Sequence, residues 1–171
     1  PLWEKLSQLE AEIDKSQGSR ILWIDDQPSL ILSERRILRA LGIEVVTAQN
    51  SQNAENVLIN DNDFDLIISD VQREGKVSNR KTRYGGIYFI KELREKYRAN
   101  PIIKSLPVVF YSAYTTEDIK SIKEQVGEEF LDEINFVATF DVLLLKVIPL
   151  LAKLRENPVT VSPKKVPTDL A

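Results

Sequence analysis

Apolar and polar positions follow one another along this chain in blocks that fit strands and helices in alternation. The apolar run 21–24 ends abruptly in acidic residues, which is typical of a central parallel strand covered on both faces. Pro28 and Ser29 then begin an amphipathic helix that is expected to reach about Leu41, where Gly42 stops it. The same patterns predict strands at 43–47, 64–69, 106–111 and 135–138, and helices at 54–59, 87–98, from 115 onward and at 141–154.

This alternation predicts an α/β fold, namely a doubly wound, five-stranded parallel sheet with helices on both faces. Right-handed crossovers then place every strand-to-helix loop along one edge of the sheet. In such sheets ligands bind beyond the carboxyl ends of the strands. Because Asp25, Asp26, Asp70 and Ser112 all fall at predicted strand ends, we expect their side chains to converge.

Segment 1–18 precedes the predicted domain, and its pattern indicates one N-terminal helix. The apolar stripe of this helix, spaced by four, three and four residues, consists of Leu2, Leu6, Leu9 and Ile13. The stripe could pack on the domain, or it could pair with a second copy as a short coiled coil and form a homodimer. Two heptads are too few to choose between a linker and a dimerisation element.

The predicted domain spans 19–155, and the composition suits a folded core. The chain has 171 residues, of which 43% are apolar, so one domain with appendages is expected. Residues 156–171, with three prolines among polar residues, are predicted to form a disordered tail that is too short for a DNA-binding domain. Since the sequence does not begin with Met, we expect it to be a piece of a longer protein or to be processed.

Composition also excludes several classes of function. A net charge of −3 argues against direct nucleic-acid binding. No apolar run reaches the roughly 18–20 residues that cross a bilayer, and no signal-peptide pattern is present, so a cytoplasmic location is expected. The absence of Cys and His excludes disulfides, thiolate nucleophiles and imidazole bases. The chemistry must therefore rest on carboxylates, hydroxyls, basic side chains and the backbone.

Three carboxylates in one pocket repel one another. At about 4 Å and an effective dielectric constant near 20, each like-charge pair costs on the order of 4 kcal/mol. Either one carboxylate takes up a proton or a cation neutralises the site, and Mg²⁺ suits an all-oxygen set best. The alternative is that Asp25 and Asp26 merely cap the following helix, as Asp residues often do.

Three segments together resemble response-regulator receiver domains of two-component signalling. They are Ile-Leu-Trp-Ile-Asp-Asp-Gln-Pro at 21–28, Phe-Asp-Leu-Ile-Ile-Ser-Asp-Val at 64–71 and Pro-Val-Val-Phe-Tyr-Ser-Ala at 107–113. Their order and spacing make the likeness specific, and it extends over about 19–155. The resemblance implies a flavodoxin-like sheet with the strand order 2-1-3-4-5.

The resemblance also implies a phosphoryl site. Asp70 would accept a phosphoryl group from a histidine kinase or phosphotransfer protein. Mg²⁺ would be held by Asp25, Asp26, Asp70 and the backbone carbonyl of Gln72. Ser112 would donate a hydrogen bond to a phosphoryl oxygen, unless it is simply a strand-end Ser bonded to the backbone.

The chain departs from the family after the fifth strand. Phe136 takes the place of the switch aromatic, although an ordinary core Phe is the alternative. Receivers carry a Lys and then a Pro beyond this strand, where the present sequence has Thr139 and Phe140. Lys146 is no substitute, because seven helical residues displace it about 10 Å along the axis. Without that Lys, coupling of phosphorylation to a conformational change is in doubt.

A second departure is the long segment 73–83 beside the acidic pocket. Five basic residues lie in it against one acid, Glu74: Arg73, Lys76, Arg80, Lys81 and Arg83. The segment could be a plain solvated loop, it could supply the missing cation, or it could dock an acidic downstream protein.

Three functions remain open at this point. The first is a phosphoacceptor module with no enzymatic activity beyond self-phosphorylation and autodephosphorylation. The second is a pseudo-receiver that binds a protein partner independently of phosphorylation. The third, a haloacid-dehalogenase-type phosphatase, usually needs Asp-x-Asp, and here Gln27 stands two residues after Asp25.

Overall fold

The computed structural model describes residues 1–61, 63–72, 75–77, 80–128 and 135–157. Its helices are α1 (Leu2–Ser7), α2 (Glu10–Ser16), α3 (Leu32–Ala40), α4 (Ser51–Asn60), α5 (Gly85–Lys96), α6 (Pro101–Ser105), α7 (Thr116–Val126) and α8 (Phe140–Glu156). Its strands are β1 (Arg20–Ile24), β2 (Glu44–Ala48), β3 (Leu66–Ser69), β4 (Gly75–Val77), β5 (Arg80–Thr82), β6 (Val108–Tyr111) and β7 (Asn135–Val137).

Five of these strands form one sheet in the order β2-β1-β3-β6-β7, and every pair in it is parallel. Counted among the parallel strands alone, this is the order 2-1-3-4-5, so the predicted fold is confirmed. β1 lies between β2 and β3, where Trp23 is level with Thr47 on one side and with Ile68 on the other. This central position explains the unbroken apolar run of β1.

Alternate side chains of β1 belong to two separate hydrophobic cores, one on each face of the sheet. Ile21 and Trp23 belong to a core that also holds side chains of α3 and α8, whereas Leu22 and Ile24 belong to a core built with α4, α5 and α7. All four of these β1 side chains are completely buried. Because both faces of the sheet are covered by helices, the strand ends remain as the accessible edges.

The predicted single N-terminal helix is wrong in detail, since the segment forms two helices. The break falls at Gln8 and Leu9, where the Leu9 N–H donates to the Leu6 carbonyl three residues back at 2.9 Å, a tighter turn than an α-helix makes. Leu6 is 3% exposed and packs in the same core as the buried side of α8. The stripe therefore packs on the domain of its own chain at this position.

Two ion pairs join the N-terminal helices α1 and α2 to the two ends of α8. Lys5 of α1 lies 3.7 Å from the Asp141 carboxylate at the start of α8, and Lys15 of α2 pairs with Glu156 at its end. Both pairs are exposed, so each contributes at most about 1 kcal/mol to stability. Burial of the apolar stripe is thus the larger contribution to the docking of α1 and α2.

α8 is the longest described helix, with 17 residues, and it covers one face of the sheet. Its buried side consists of Leu143, Leu144, Val147, Ile148, Leu151 and Ala152. Within the described ranges, no helix has both the length and the apolar character that a membrane span requires.

Two further elements differ from the sequence prediction. Segment 73–83 contains the antiparallel hairpin β4–β5, in which Gly75 is level with Thr82, rather than an unstructured loop. A short extra helix, α6, precedes β6 and was not predicted. The predicted tail from residue 158 lies outside the described residues, and the division at 1–18, 19–155 and 156–171 stays a prediction.

Candidate functional site

Three aspartates meet at the carboxyl edge of the two central strands. Asp25 directly follows β1 and Asp70 directly follows β3, and these strands pair in parallel with Ile24 level with Ser69. One carboxylate oxygen from each of Asp25, Asp26 and Asp70 lies within 4.8 Å of the others. The structure thus brings the three predicted acidic side chains together.

The backbone fixes two of these aspartates before any ligand is considered. The Asp25 N–H donates to the Ala48 carbonyl at 3.0 Å, and the Asp70 N–H donates to the Ile24 carbonyl at 3.1 Å, so both residues continue the sheet ladder. The Asp25 carboxylate also accepts the Gln27 N–H at 2.8 Å. This local turn orients Asp25 without removing it from the cluster. It is not a helix cap, because α3 begins only at Leu32 and its N-cap residue Ile31 has no side-chain cap bond, so the capping alternative is wrong for Asp25.

Burial is graded across the cluster. Asp70 is only 9% exposed, Asp25 is half-buried and Asp26 is exposed. The cluster therefore has a closed floor at Asp70 and an open rim at Asp26. An open rim suits Mg²⁺, which usually keeps several water ligands and binds only one or two carboxylates directly.

Gly86 at the start of α5 packs directly against the Asp70 backbone. A Cβ at this position would lie 1.9 Å from the Asp70 carbonyl oxygen and 3.2 Å from the Val71 carbonyl oxygen. The Gly86 N–H donates to the same Val71 carbonyl at 3.3 Å. Only glycine allows this approach, so Gly86 helps to form the site, and the sequence pattern did not identify it.

The hydroxyl Ser112 lies at the same edge, after β6. Its N–H donates to the Val137 carbonyl at 3.2 Å, which ties the β6 end to β7. The residue is half-buried. The two alternatives for its hydroxyl, toward a phosphoryl group or toward the backbone, both stay predictions, as does the ligand role of the Gln72 carbonyl.

Phe136 is part of an aromatic stack beneath this edge. Its ring stacks on Phe110 with ring centroids 5.5 Å apart and meets Tyr114 edge-on, also at 5.5 Å. Burial raises the pKa of the Tyr114 hydroxyl. These contacts explain why an aromatic residue is favoured at 136, and a switching role for Phe136 stays a prediction.

Thr139 stands two strands away from Asp70. The register places Ser69 level with Phe110 and Phe110 level with Phe136, so β3 and β7 are separated by β6. Two strand spacings amount to about 9.6 Å. A threonine side chain is too short to cross that distance, and Thr139 is exposed.

The Thr139 hydroxyl instead bonds locally. It donates to the Asp141 carboxylate, and this hydrogen bond is the main reason that the pKa of Asp141 lies below its ordinary value. Thr139 therefore acts at the start of α8, where its backbone is extended and precedes the first helical turn. The side chain here is a neutral hydroxyl, and the correspondence of this position to the Lys of receivers stays a prediction.

Among the basic residues of segment 73–83, the structure describes the side chain of Arg83. Its guanidinium donates to the Asp118 carboxylate of α7 at 3.2 Å and lies over the Tyr84 ring, 5.4 Å from the centroid. Arg83 thus ties the hairpin to α7. The structure does not describe the side chains of the other four basic residues, Arg73, Lys76, Arg80 and Lys81, so their predicted roles stay open.

The donor set fits a hard cation. It offers carboxylate oxygens from three residues, and the chain has no Cys or His to attract softer metals. Asp25, Asp26 and Asp70 are therefore the residues that would hold Mg²⁺, and the cation would offset their mutual repulsion.

Comparison with known proteins gives the family. Residues 21–132 match the family model of the response regulator receiver domain. The chain is also 29% identical over 112 residues to the sensor protein GacS of Pseudomonas syringae pv. syringae, which is 66% of this chain and 11% of that relative. The match with the family model ends before β7, so Phe136 and Thr139 lie beyond it.

Solved structures agree on the fold. The chemotaxis protein CheY4 of Vibrio cholerae is 23% identical, with 75% of this chain and 95% of that chain covered and a TM-score of 0.55. The response regulator TrrA of Thermotoga maritima, solved in complex with Mg²⁺-BeF, is 24% identical, with 77% and 98% covered and a TM-score of 0.56. Since the family model matches well over half of its residues, the chain belongs to the response regulator receiver domain family of two-component signalling.

Proposed function

We propose that this chain is a phosphoacceptor module, in which Asp70 takes a phosphoryl group from the phosphohistidine of a histidine kinase or phosphotransfer protein. The observation that carries the proposal is the convergence of the Asp25, Asp26 and Asp70 carboxylates within 4.8 Å at one strand edge. A cluster of this kind has little structural use, because the like charges repel one another.

In the proposed reaction an Asp70 carboxylate oxygen forms a bond to phosphorus while the phosphorus–nitrogen bond of the donor breaks. The imidazole leaves with the electron pair of that bond and takes a proton from solvent. Asp70 is suited to this role because the ladder bond to Ile24 and the contact with Gly86 fix its backbone. A fixed nucleophile lowers the entropic cost of an in-line displacement.

The other site residues would assist this step. Asp25 and Asp26, with Asp70 and the Gln72 carbonyl, would hold Mg²⁺, which offsets charge on the phosphoryl oxygens when it is bound. The Ser112 hydroxyl would donate to a phosphoryl oxygen. The open rim at Asp26 leaves room for the donor group to approach.

Intact-mass spectrometry tests the proposal. The chain is incubated with Mg²⁺ and a small phosphodonor such as acetyl phosphate. We expect a gain of one phosphoryl group that disappears with EDTA and in Asp70→Asn, and that persists in Asp63→Asn, an exposed acid outside the cluster. No gain in mass, or a gain that survives Asp70→Asn, would refute the phosphoacceptor role.

A second candidate function is favoured by Thr139. The neutral, short side chain at the end of β7 points to a pseudo-receiver that binds its protein partner without phosphorylation. In that case partner affinity is the same for the native chain, for Asp70→Ala and in the presence of a chelator. A change in partner affinity that requires both Mg²⁺ and phosphodonor would exclude this second function.

A further inference from the structure

A cationic groove lies at the end of α5 that is remote from the acidic pocket. The groove has a volume of about 930 Å³ and is bordered by the second half of α5 and by α6. The described lining includes four basic side chains, Lys91, Arg94, Arg98 and Lys104, and one acid, Glu95. Lys91 and Arg94 follow Gly86 by five and eight residues, which places them about 8 and 12 Å farther along the helix.

Hydrogen bonds to the backbone orient two of the cations. The Lys91 ammonium donates to the Val126 carbonyl at the end of α7 at 3.1 Å. The Arg94 guanidinium donates to the Leu106 carbonyl, just before β6, at 3.3 Å. These bonds hold the two side chains in place along the groove.

The opposite wall of the groove is formed by α6, whose conformation is fixed by local hydrogen bonds. The Asn100 side chain accepts the N–H groups of Ile102 and Ile103 at 3.0 and 3.2 Å, and Pro101 occupies the first helical position of α6. The Ser105 hydroxyl donates to the Pro101 carbonyl at 2.6 Å. These contacts fix the helical conformation of α6, and the Arg94 bond to Leu106 ties the end of α6, and with it Lys104, to α5.

Arg98 can exchange its present partner for a stronger one. Its guanidinium lies 3.4 Å from the Glu95 carboxylate, and the two side chains are 75% and 76% exposed. Such exposed pairs contribute at most about 1 kcal/mol. Phosphate offers the guanidinium two parallel hydrogen bonds and a higher charge than this single carboxylate.

The distribution of charge is the reason to assign a ligand. The chain carries a net charge of −3, yet the described lining of this one groove is mainly positive. Basic residues near helix C-termini do stabilise the helix macrodipole, but that effect acts on each residue separately. It gives no reason for side chains of α5, its following turn and α6 to border the same cavity.

We propose that this groove binds a small ligand with two or more phosphate groups. Its volume falls in the range of about 300–1,000 Å³ that small-molecule pockets occupy. The Pro101 ring and the aliphatic stems of the basic residues supply apolar surface for the body of such a ligand. The proposal is independent of the phosphoacceptor function, because it uses none of the three clustered aspartates.

Calorimetric titration of the full chain with inorganic triphosphate tests the assignment, in EDTA so that no metal bridges phosphate to the acidic pocket. We expect saturable binding that weakens at least about tenfold in the double variant Arg98→Gln/Lys104→Gln, since each lost bond joins two charged groups. The matched control Lys120→Gln/Lys153→Gln removes the same charge from exposed sites on α7 and α8, and its affinity is expected to stay within about twofold of the native value. Thermal unfolding of both double variants checks that they fold.

Three results would overturn the assignment. The first is the absence of saturable triphosphate binding to the native chain. The second is an equal loss of affinity in the two double variants, which would indicate general attraction to positive charge. The third is tighter binding of a glutamate-rich peptide of equal charge, which would indicate an acidic protein partner. Triphosphate binding that is unchanged in Asp70→Asn keeps this result separate from the phosphoryl test.

Discussion

The carboxyl edge of the sheet has two halves with different side chains, one at β1 and β3 and the other at β6 and β7. At β1 and β3, three carboxylates are held within 4.8 Å of one another, and Gly86 packs against the Asp70 backbone. At β6 and β7 the edge residues are Ser112 and Thr139, whose side chains are neutral hydroxyls. The first half has the charge and rigidity that the proposed binding of a cation and a phosphoryl group would need, and the second has no charged side chain at these two positions.

This difference separates the residues that would bind Mg²⁺ and a phosphoryl group from the residues that would transmit a conformational change. The half with the acids is built by the two central strands, and it lies within the residues that match the family model. In the other half Ser112 lies within the matched residues and Thr139 lies beyond them, where its hydroxyl is engaged with Asp141. Phosphorylation of Asp70 and its transmission to α8 are therefore separate physical questions in this protein.

The largest effect is expected where the first half is most tightly packed. Gly86→Val puts a side chain into the Asp70 carbonyl, 1.9 Å from the position of its first carbon, so the loop must move. Overpacking of this kind costs about 1–3 kcal/mol, and the movement of Asp70 should abolish Mg²⁺ binding. Urea unfolding and Mg²⁺ titration measure the two consequences.

Gly127→Ala is the control for this variant. Gly127 has a φ of +95°, but among the residues that the structure describes no atom lies within 4 Å of the position a Cβ would take. It therefore introduces backbone strain without a clash, at a cost of about 1–2 kcal/mol. We expect Gly127→Ala to bind Mg²⁺ with unchanged affinity. If Gly86→Val also binds Mg²⁺ with normal affinity, the close contact of Gly86 does not position Asp70.

The second effect concerns repulsion within the acidic half. Mg²⁺ at a hundred times its dissociation constant should raise the free energy of unfolding of the native chain by about 2.7 kcal/mol. Without Mg²⁺, Asp70→Asn should be more stable than the native chain, because one of the repelling charges is gone. Urea unfolding with and without Mg²⁺ measures both, and a native chain that is indifferent to Mg²⁺ would contradict a metal role for the cluster.

A third, smaller effect adds charge to the other half. Thr139→Lys places a cation on a long flexible stem at the end of β7, and it should raise the affinity for beryllofluoride severalfold, about 1 kcal/mol. Thr139→Met, with a side chain of comparable length and no charge, should leave that affinity unchanged. Fluorescence of the buried Trp23 in a Trp3→Phe background reports binding, and equal affinities of the two variants would show that charge at 139 is irrelevant.

The smallest effect tests the local bond of Thr139. The pKa of Asp141 is lowered in the folded protein, chiefly by the Thr139 hydroxyl. The interaction of Thr139 with the charged Asp141 therefore stabilises the fold above the unfolded pKa of Asp141. This stabilisation is lost as the pH falls through the folded pKa. Thr139→Val should therefore be slightly less stable than the native chain at neutral pH, and the difference should vanish once the pH is low enough to protonate Asp141 in the folded protein. Thermal unfolding across this pH range measures it, and a difference that persists in acid would assign it to packing.

The sequence predicted the sheet and the acidic half because their determinants are local. The apolar runs before Asp25 and Asp70 indicate buried strands, and parallel pairing then requires that both acids lie at one edge. By contrast, α6 has five residues, too few for a helical period to show, although Asn100 and Pro101 are typical of a helix start. The hairpin β4–β5 was missed because its residues are mostly polar and lack the apolar alternation of a half-buried strand.

Other features depend on contacts between distant segments. A Cβ added at Gly86 would lie 1.9 Å from the Asp70 carbonyl oxygen. This close approach follows from how β3 and α5 are placed relative to each other, which no local sequence pattern contains. The cationic groove likewise requires α6 to lie against the end of α5. The break at Leu9 was hidden because the apolar spacing of Leu6, Leu9 and Ile13 also fits one continuous helix.

A crystal structure of this chain with Mg²⁺ and beryllofluoride tests the central claim most directly. We expect Mg²⁺ among Asp25, Asp26 and Asp70, and beryllofluoride on an Asp70 carboxylate oxygen, with Thr139 still bonded to Asp141. Mg²⁺ bound away from these three residues, or an Asp70 carboxylate without beryllofluoride at saturating concentration, would contradict a phosphoacceptor site at this edge.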